Sequence, residues 1–203
     1  MTVGGGLALL AAVALMAVRT GTASLSGVLA SDVWSEAGFT TTVAVLLAVA
    51  AFTKSAQFPF QAWLPDSMVA ISPVSAYLHA AAMVKAGIFL LLVFSPVLAG
   101  NPVWSALLIG SGLITALLGA VSAIRRHDLK GLLAYSTMSQ LGLLVTAIGI
   151  GTPVALTAAI VHTVAHALFK SALFMLIGVV DHEAGTRDLR ELAARHVRMP
   201  VTG

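Results

Sequence analysis

The fold that this sequence predicts is an all-α bundle of about six membrane-crossing helices, and three observations predict it. Of the 203 residues, 59% are hydrophobic and only 9% charged, with a mean hydropathy of +0.99, a balance foreign to water-soluble domains. The apolar residues fall in long runs, and a bilayer core about 30 Å thick takes roughly 20 of them per helix. Those runs are rich in Leu, Ala, Val and Gly and lack the ten-residue polar alternation of spanning strands, which favours helices over a barrel.

The predicted spans cover residues 3–18, 40–58, 72–94, 103–124, 132–150 and 154–180. The first resembles a signal peptide only superficially, because no basic residues precede its apolar run and Arg19 follows it. Gly4 to Gly6 and its short length suggest a helix that is cut or begins upstream. A Ser/Thr/Gly-rich loop with Asp32 and Glu36 leads to the second span, whose apolar region meets Pro59 and Pro65. Proline removes a backbone donor and clashes with the preceding turn, so the helix should break there. A break at membrane depth survives only where its freed groups face protein or water, so Gln57, Pro59 and Gln61 suggest a hydrated cavity; equally, Pro59 ends the span at the interface. A turn near 96–102, a basic loop at 125–130 and a charged tail from Asp181 separate the remaining spans.

Loops separated by an even number of spans share a side of the membrane. Arg125, Arg126 and Lys130 precede the last two spans, and Arg187, Arg190, Arg195 and Arg198 follow them. The positive-inside rule therefore expects both groups and the N-terminus on the cytoplasmic side, and Asp32 and Glu36 outside, with Arg19 as the exception. The formal charge of +3 reports this orientation, and no nucleic-acid partner is expected. With no cysteine, the chain offers no disulfide, iron–sulfur or thiolate-zinc chemistry.

Three of the four lysines, Lys54, Lys85 and Lys170, interrupt apolar runs. A lysine at mid-bilayer costs about 2.5–3.5 kcal/mol on insertion scales, so these side chains should face a bundle interior or a water-filled path. Snorkelling to an interface competes with that reading and suits Lys54, close to Pro59, better than the other two. In the run VHTVAHALFK, His162, His166 and Lys170 recur every four residues. Each lies ~40° around and ~6 Å along from the last, forming a slanted stripe within reach of one bridging water. Histidine titrates near neutrality and can donate from one ring nitrogen while accepting on the other, which suits proton hopping. His79 alone reads as a hydrogen-bonded core residue, and at about 240° from Lys85 on a regular helix it shares no face with it.

No Asp or Glu lies inside the apolar spans; Asp66 falls in the connector at 59–71. Unpaired burial of an ammonium is costly, so a carboxylate is expected from a helix outside this chain or from another subunit. Two histidines do not complete a zinc site, and no nucleophile–base–acid set accompanies them; neither a catalytic centre, a metal nor a cofactor is expected.

Four blocks in order, FTKSAQFPFQAWLPDSM, SPVSAYLHAAAMVKAGIFLL, HDLKGLLAYSTMSQLG and HTVAHALFKSALFMLIGVVDHEAGTRDL, resemble the proton-translocating antiporter-like family, which comprises the large membrane components of complex I and of Mrp-type Na+/H+ antiporters. Within it, FTKSAQFPF, SAYLH with MVKAG, SPVL and DHEAGTRD most resemble the large A-type component of the Mrp antiporters. The resemblance implies that Lys54 is the central lysine beside a broken helix, and that His79, Lys85, His162, His166 and Lys170 line a hydrated ion path. Lys130, beside Asp128 at a helix start, is a further candidate. It also implies a glutamate on a preceding helix, a second half-unit after Gly203, and so a fragment: a partial antiporter-like transmembrane domain at 1–180 and a charged cytoplasmic connector at 181–203. Gln61 stands where relatives often carry histidine, and Ile71 where proline is common.

The function this implies is proton conduction in a multisubunit Na+/H+ antiporter of the inner (cytoplasmic) membrane, with other membrane subunits, lipid, protons and Na+ as partners. The alternative is a proton-pumping membrane subunit of a complex I-type NADH:quinone oxidoreductase. A b-type cytochrome would need opposed histidines for haem, and a structural scaffold would have no use for three mid-span lysines.

Overall fold

The computed structural model describes residues 2–194 and shows helices with no strand among them. Ten α-helices follow in order: α1 (Thr2–Thr20), α2 (Leu25–Leu29), α3 (Ala37–Lys54), α4 (Trp63–Asp66), α5 (Ser72–Ala76), α6 (Lys85–Leu98), α7 (Pro102–Ile124), α8 (Leu129–Ile150), α9 (Pro153–Ala184) and α10 (Leu189–Ala194). Five of them, α1, α3, α7, α8 and α9, are long and apolar enough to cross a membrane. A sixth crossing is assembled from α5, a π-helical turn at Tyr77–Ala81 and α6.

Local sequence sets the ends of the regular spans. Asn101 caps α7 by accepting from the amides of Val103 and Trp104, Asp128 caps α8 through Gly131, and Thr152 caps α9 through Ala155. Each supplies the side-chain oxygen that a helix N-terminus lacks. Gly151 and Gly185 close α8 and α9 with φ of 70° and 65°, a conformation that glycine adopts without strain.

α7 and α8 form the tightest pair. A Cβ on Gly142 would lie 2.5 Å from Ala116 N and 2.6 Å from Gly112 O, and one on Gly119 would lie 2.5 Å from Ser139 N. Only hydrogen at these positions lets the backbones approach so closely, as small residues do between membrane helices. The main core gathers α3, α6 and α8 around Leu47, Ile88, Leu91, Leu141 and Val145, with Trp104 from α7.

Alternation of the loops across the bundle is visible in their contacts. Asn101 Nδ2 donates to Thr41 Oγ1 at 3.0 Å on one face, where Arg19 also pairs with Glu36. On the other face the 125–130 loop joins the tail: Leu129 N donates to Arg187 O at 3.1 Å and Leu189 N to His127 O at 2.9 Å, while Arg187 Nε sits 3.5 Å from Asp128 and 3.8 Å from Asp181. Arg190 donates to both oxygens of Asp188, and this bonding holds the Asp188 carboxyl low, at about 2.

Two differences from the expected layout have physical causes. The third span, expected as continuous over 72–94, is interrupted at 82–84 after the π turn, so the 240° relation of His79 to Lys85 on a regular helix does not hold. The last span continues to Ala184 because no breaker precedes Gly185; at 32 residues it is about 48 Å long, more than a bilayer core needs, and a boundary at 180/181 cuts through it. Arg195 and Arg198 lie outside the described residues.

Candidate ion path through the bundle

α3 stops at Lys54, and residues 55–62 run without helical structure. The depth of this break decides between the two readings of Pro59. Phe58 N donates to Thr115 Oγ1 at 2.8 Å, and Ser111 Oγ donates to Phe58 O at 3.0 Å. Ser111 and Thr115 lie near the middle of the 23-residue α7, so the break is at mid-span and not at its end. Freed carbonyls at the end of α3 are satisfied locally: Phe52 O accepts from Gln57 N and Thr53 O from the Trp63 indole. Gln57 is fully buried, donates to Ser55 O and leaves its Oε1 without a protein partner; Gln61 Oε1 is in the same position. Such buried polar atoms are sites for water.

The two interruptions meet. Ser55 Oγ donates to Val84 O at 2.6 Å, tying the end of α3 to the start of α6. Lys54 therefore occupies the last turn of one helix and Lys85 the first residue of another. A cation is favoured at a helix C-terminus and disfavoured at an N-terminus, so the two ammonium groups sit in opposite backbone fields. Lys54 is partly buried and has no hydrogen-bonding or ion-pairing partner among the described residues, while Lys85 is buried.

The stripe on α9 faces α8. His166 and Lys170 are buried and His162 is half-buried, while Val161, Val164 and Leu168 point outward. α8 runs antiparallel and answers with two polar side chains one helical turn apart: His162 Nε2 lies 2.8 Å from Gln140 Oε1, and Lys170 Nζ donates to Ser136 Oγ at 2.9 Å and Leu133 O at 3.4 Å. Between them His166 keeps both ring nitrogens buried without a hydrogen-bond partner among the described residues. Lys85, Lys170 and His162 all lie within electrostatic reach of it. His79 approaches from the π turn, with Nε2 3.0 Å from Ser67 Oγ and its ring 5.5 Å from that of Phe174; Lys170 is in electrostatic range.

Of the residues singled out in the sequence, Lys85, His162, His166 and Lys170 are thus gathered around His166, with His79 beside Lys170 and Lys54 beside the head of α6. Lys130 and Asp128 are elsewhere. Lys130 is buried at the start of α8, donating to Ala70 O at 3.0 Å, on the face where Asp128 contacts Arg187. Lys54 and Lys170 form no ion pair among the described residues, nor does any cluster there suit a metal ion. Ser55, Ser67, Ser136 and Gln140 were not anticipated; the i, i+4 polar pair in STMSQ was the only sign of the last two.

This arrangement has close counterparts. All of residues 1–203 match the family described as NADH:quinone oxidoreductase/Mrp antiporter, TM. The chain is 48% identical to the large A-type component of the Na(+)/H(+) antiporter of Alkalihalophilus pseudofirmus, covering 100% of this chain and 27% of that protein. It is 51% identical to the A/B component of a probable K(+)/H(+) antiporter of Rhizobium meliloti, covering 98% and 20% respectively. Among solved structures, the Mrp complex from Dietzia sp. superposes with a TM-score of 0.90 at 68% identity, covering 92% of this chain and 21% of that one. Respiratory complex I from Thermus thermophilus superposes with a TM-score of 0.81 at 28% identity, covering 92% and 40%. The chain spans about a quarter of the length of the curated relatives it matches. It is a multi-pass membrane protein, and it belongs to the NADH:quinone oxidoreductase/Mrp antiporter transmembrane family.

Proposed function

We propose that this chain carries a proton path of a multisubunit monovalent cation/proton antiporter, coupling inward proton movement to outward Na+ movement without covalent catalysis or a cofactor of its own. The observation that carries the reading is the joint at Ser55 and Val84, which sets Lys54 and Lys85 at facing helix ends, next to a histidine whose two nitrogens are unpaired. Protonation of Lys54 alters the field at Lys85. That change passes to His166 and on to Lys170 or His162 through bound water. Lys54, His79, Lys85, His162, His166 and Lys170 are the pathway residues, Gln57 and Pro59 form the break, and Lys130 with Asp128 serve its outer end.

We assign the path to the inner (cytoplasmic) membrane. The face carrying Arg125, Arg126, Lys130, Arg187 and Arg190 is taken as cytoplasmic, together with the N-terminus, on the positive-inside rule. The transmembrane unit extends to Ala184, and the connector begins at Gly185. Other subunits of the antiporter and lipid are its partners.

A redox-driven pump would use the same geometry, but the higher identity to antiporter components favours the antiporter. In everted vesicles carrying the complete antiporter, Lys54→Ala should abolish the Na+-dependent pH gradient. Undiminished antiport in that variant would remove Lys54 from the path.

A further inference from the structure

On the face that carries Lys130, a hollow of about 740 Å³ opens between the α5 entrance and the end of α9. Ala70, Ser72, Lys130, Gly178, Val179 and Asp181 line it. It is roomy and polar at its rim. Gly178 makes it possible: a Cβ there would meet the Ser72 side chain at 3.0 Å. Directly inward lies a dry layer, formed by the buried Ala76, Leu133, Phe174 and Ile177. Inward again come Lys170 with Ser136, and His79.

Helix geometry makes these layers successive. Along α9, Phe174 lies one turn from Lys170 and Gly178 one turn further, about 6 Å per step. Along α8, Lys130, Leu133 and Ser136 follow at intervals of about 4.5 Å. Both helices thus pass from a polar hollow to an apolar layer to a polar interior in the same order. Phe174 is fully buried, its ring faces His79, and Leu133 lends its carbonyl to Lys170 while its side chain packs in the layer. Apolar constrictions of this kind stop conduction by excluding water.

We infer that Phe174, with Leu133 and Ile177, is a dry gate that separates a water-filled vestibule at Lys130 and Asp181 from the interior groups Lys170 and His79. The inference refines the proposed path, yet its test reads water access and not transport, so the two stand or fall separately. A proton passing inward from this face needs Phe174 to yield. The gate closes when its ring lies between α8 and the π turn.

The test is thiol accessibility in the complete antiporter with native cysteines replaced, probed from the Lys130 face with a membrane-impermeant cationic thiosulfonate. Val179→Cys, on the vestibule wall, should label readily, whereas Ser136→Cys, inside the gate, should be protected. Adding Phe174→Ala to Ser136→Cys should bring its labelling up to the Val179→Cys rate, and Phe174→Leu, which keeps an apolar plug, should retain the protection. Labelling of Ser136→Cys with Phe174 intact overturns the gate, as does protection that persists in assembled Phe174→Ala protein. An unreactive Val179→Cys overturns the vestibule. Should Phe174→Ala fail to assemble, Leu133→Ala with Ser136→Cys puts the same question from the opposite wall.

Discussion

The α7–α8 hairpin and the α3–α6 pair are both closed by small residues, yet the closeness does opposite things. In the hairpin, Gly112, Gly119 and Gly142 bring two unbroken helices of 23 and 22 residues together, and neither carries a charge beyond Lys130 at its margin. In the α3–α6 pair, a Cβ on Gly87 would lie 2.6 Å from Ala51 O, but both helices end where they touch, and each end carries a lysine. Uninterrupted backbone satisfies its own hydrogen bonds and can be rigid in lipid; interrupted backbone must borrow partners and leaves room for water. The hairpin supplies those partners. Ser111 and Thr115, on the face of α7 toward the break, hold the amide and carbonyl of Phe58. The frame and the path are thus neighbours with separate tasks.

The comparison predicts where substitution is most damaging. Gly142→Val drives a side chain into the α7 backbone and should destabilise the hairpin by about 3 kcal/mol or more, seen as loss of assembled protein from the membrane. Gly110→Val, on the same hairpin with nothing within 4 Å of a Cβ, should assemble normally; equal behaviour of the two would deny the hairpin its role as frame.

Ser55→Ala removes the 2.6 Å bond to Val84 and should cost about 1 kcal/mol, a modest drop in melting temperature of the detergent-purified complex. Antiport should fall out of proportion to that loss, because the bond registers Lys54 against Lys85. A transport rate that merely follows the amount of folded protein would count against such registration.

The smallest effect is expected at the loop end of the hairpin. Bonding from Arg190 depresses the Asp188 carboxyl from 3.8 to about 2. A depressed carboxylate stabilises the folded form above its unfolded value, and that contribution is lost as pH falls from about 4 toward about 2. Proteolysis of the tail should therefore quicken across that acid range. In Asp188→Asn the step should vanish, and a step that survives the substitution would assign it to another group.

Much of this was legible in the sequence, for identifiable reasons. The long spans announce themselves by hydropathy, and their ends by Asn101, Asp128, Thr152 and the glycines that follow. The first interruption carries prolines at 59 and 65. The second does not: residues 77–84, YLHAAAMV, hold neither Gly nor Pro, and a π turn there depends on what the segment packs against. The inward stripe on α9 follows from fourfold spacing, whereas Ser136 and Gln140 acquire meaning only once α8 lies antiparallel to α9. Phe174 had no signal in a run of apolar residues, since a gate is defined by what lies on either side of it.

The strand-like pairing of residues 127–129 with 187–189 has a mechanical consequence. It anchors the end of α9 to the end of α8, so any tilt of α9 turns about that fulcrum. Measured from Ala184, His162 is about 33 Å away and Lys170 about 21 Å. α9 is then a lever that moves its far histidine about one and a half times as far as its lysine, so a small tilt can part His162 from Gln140 while Lys170 keeps its hold on Ser136.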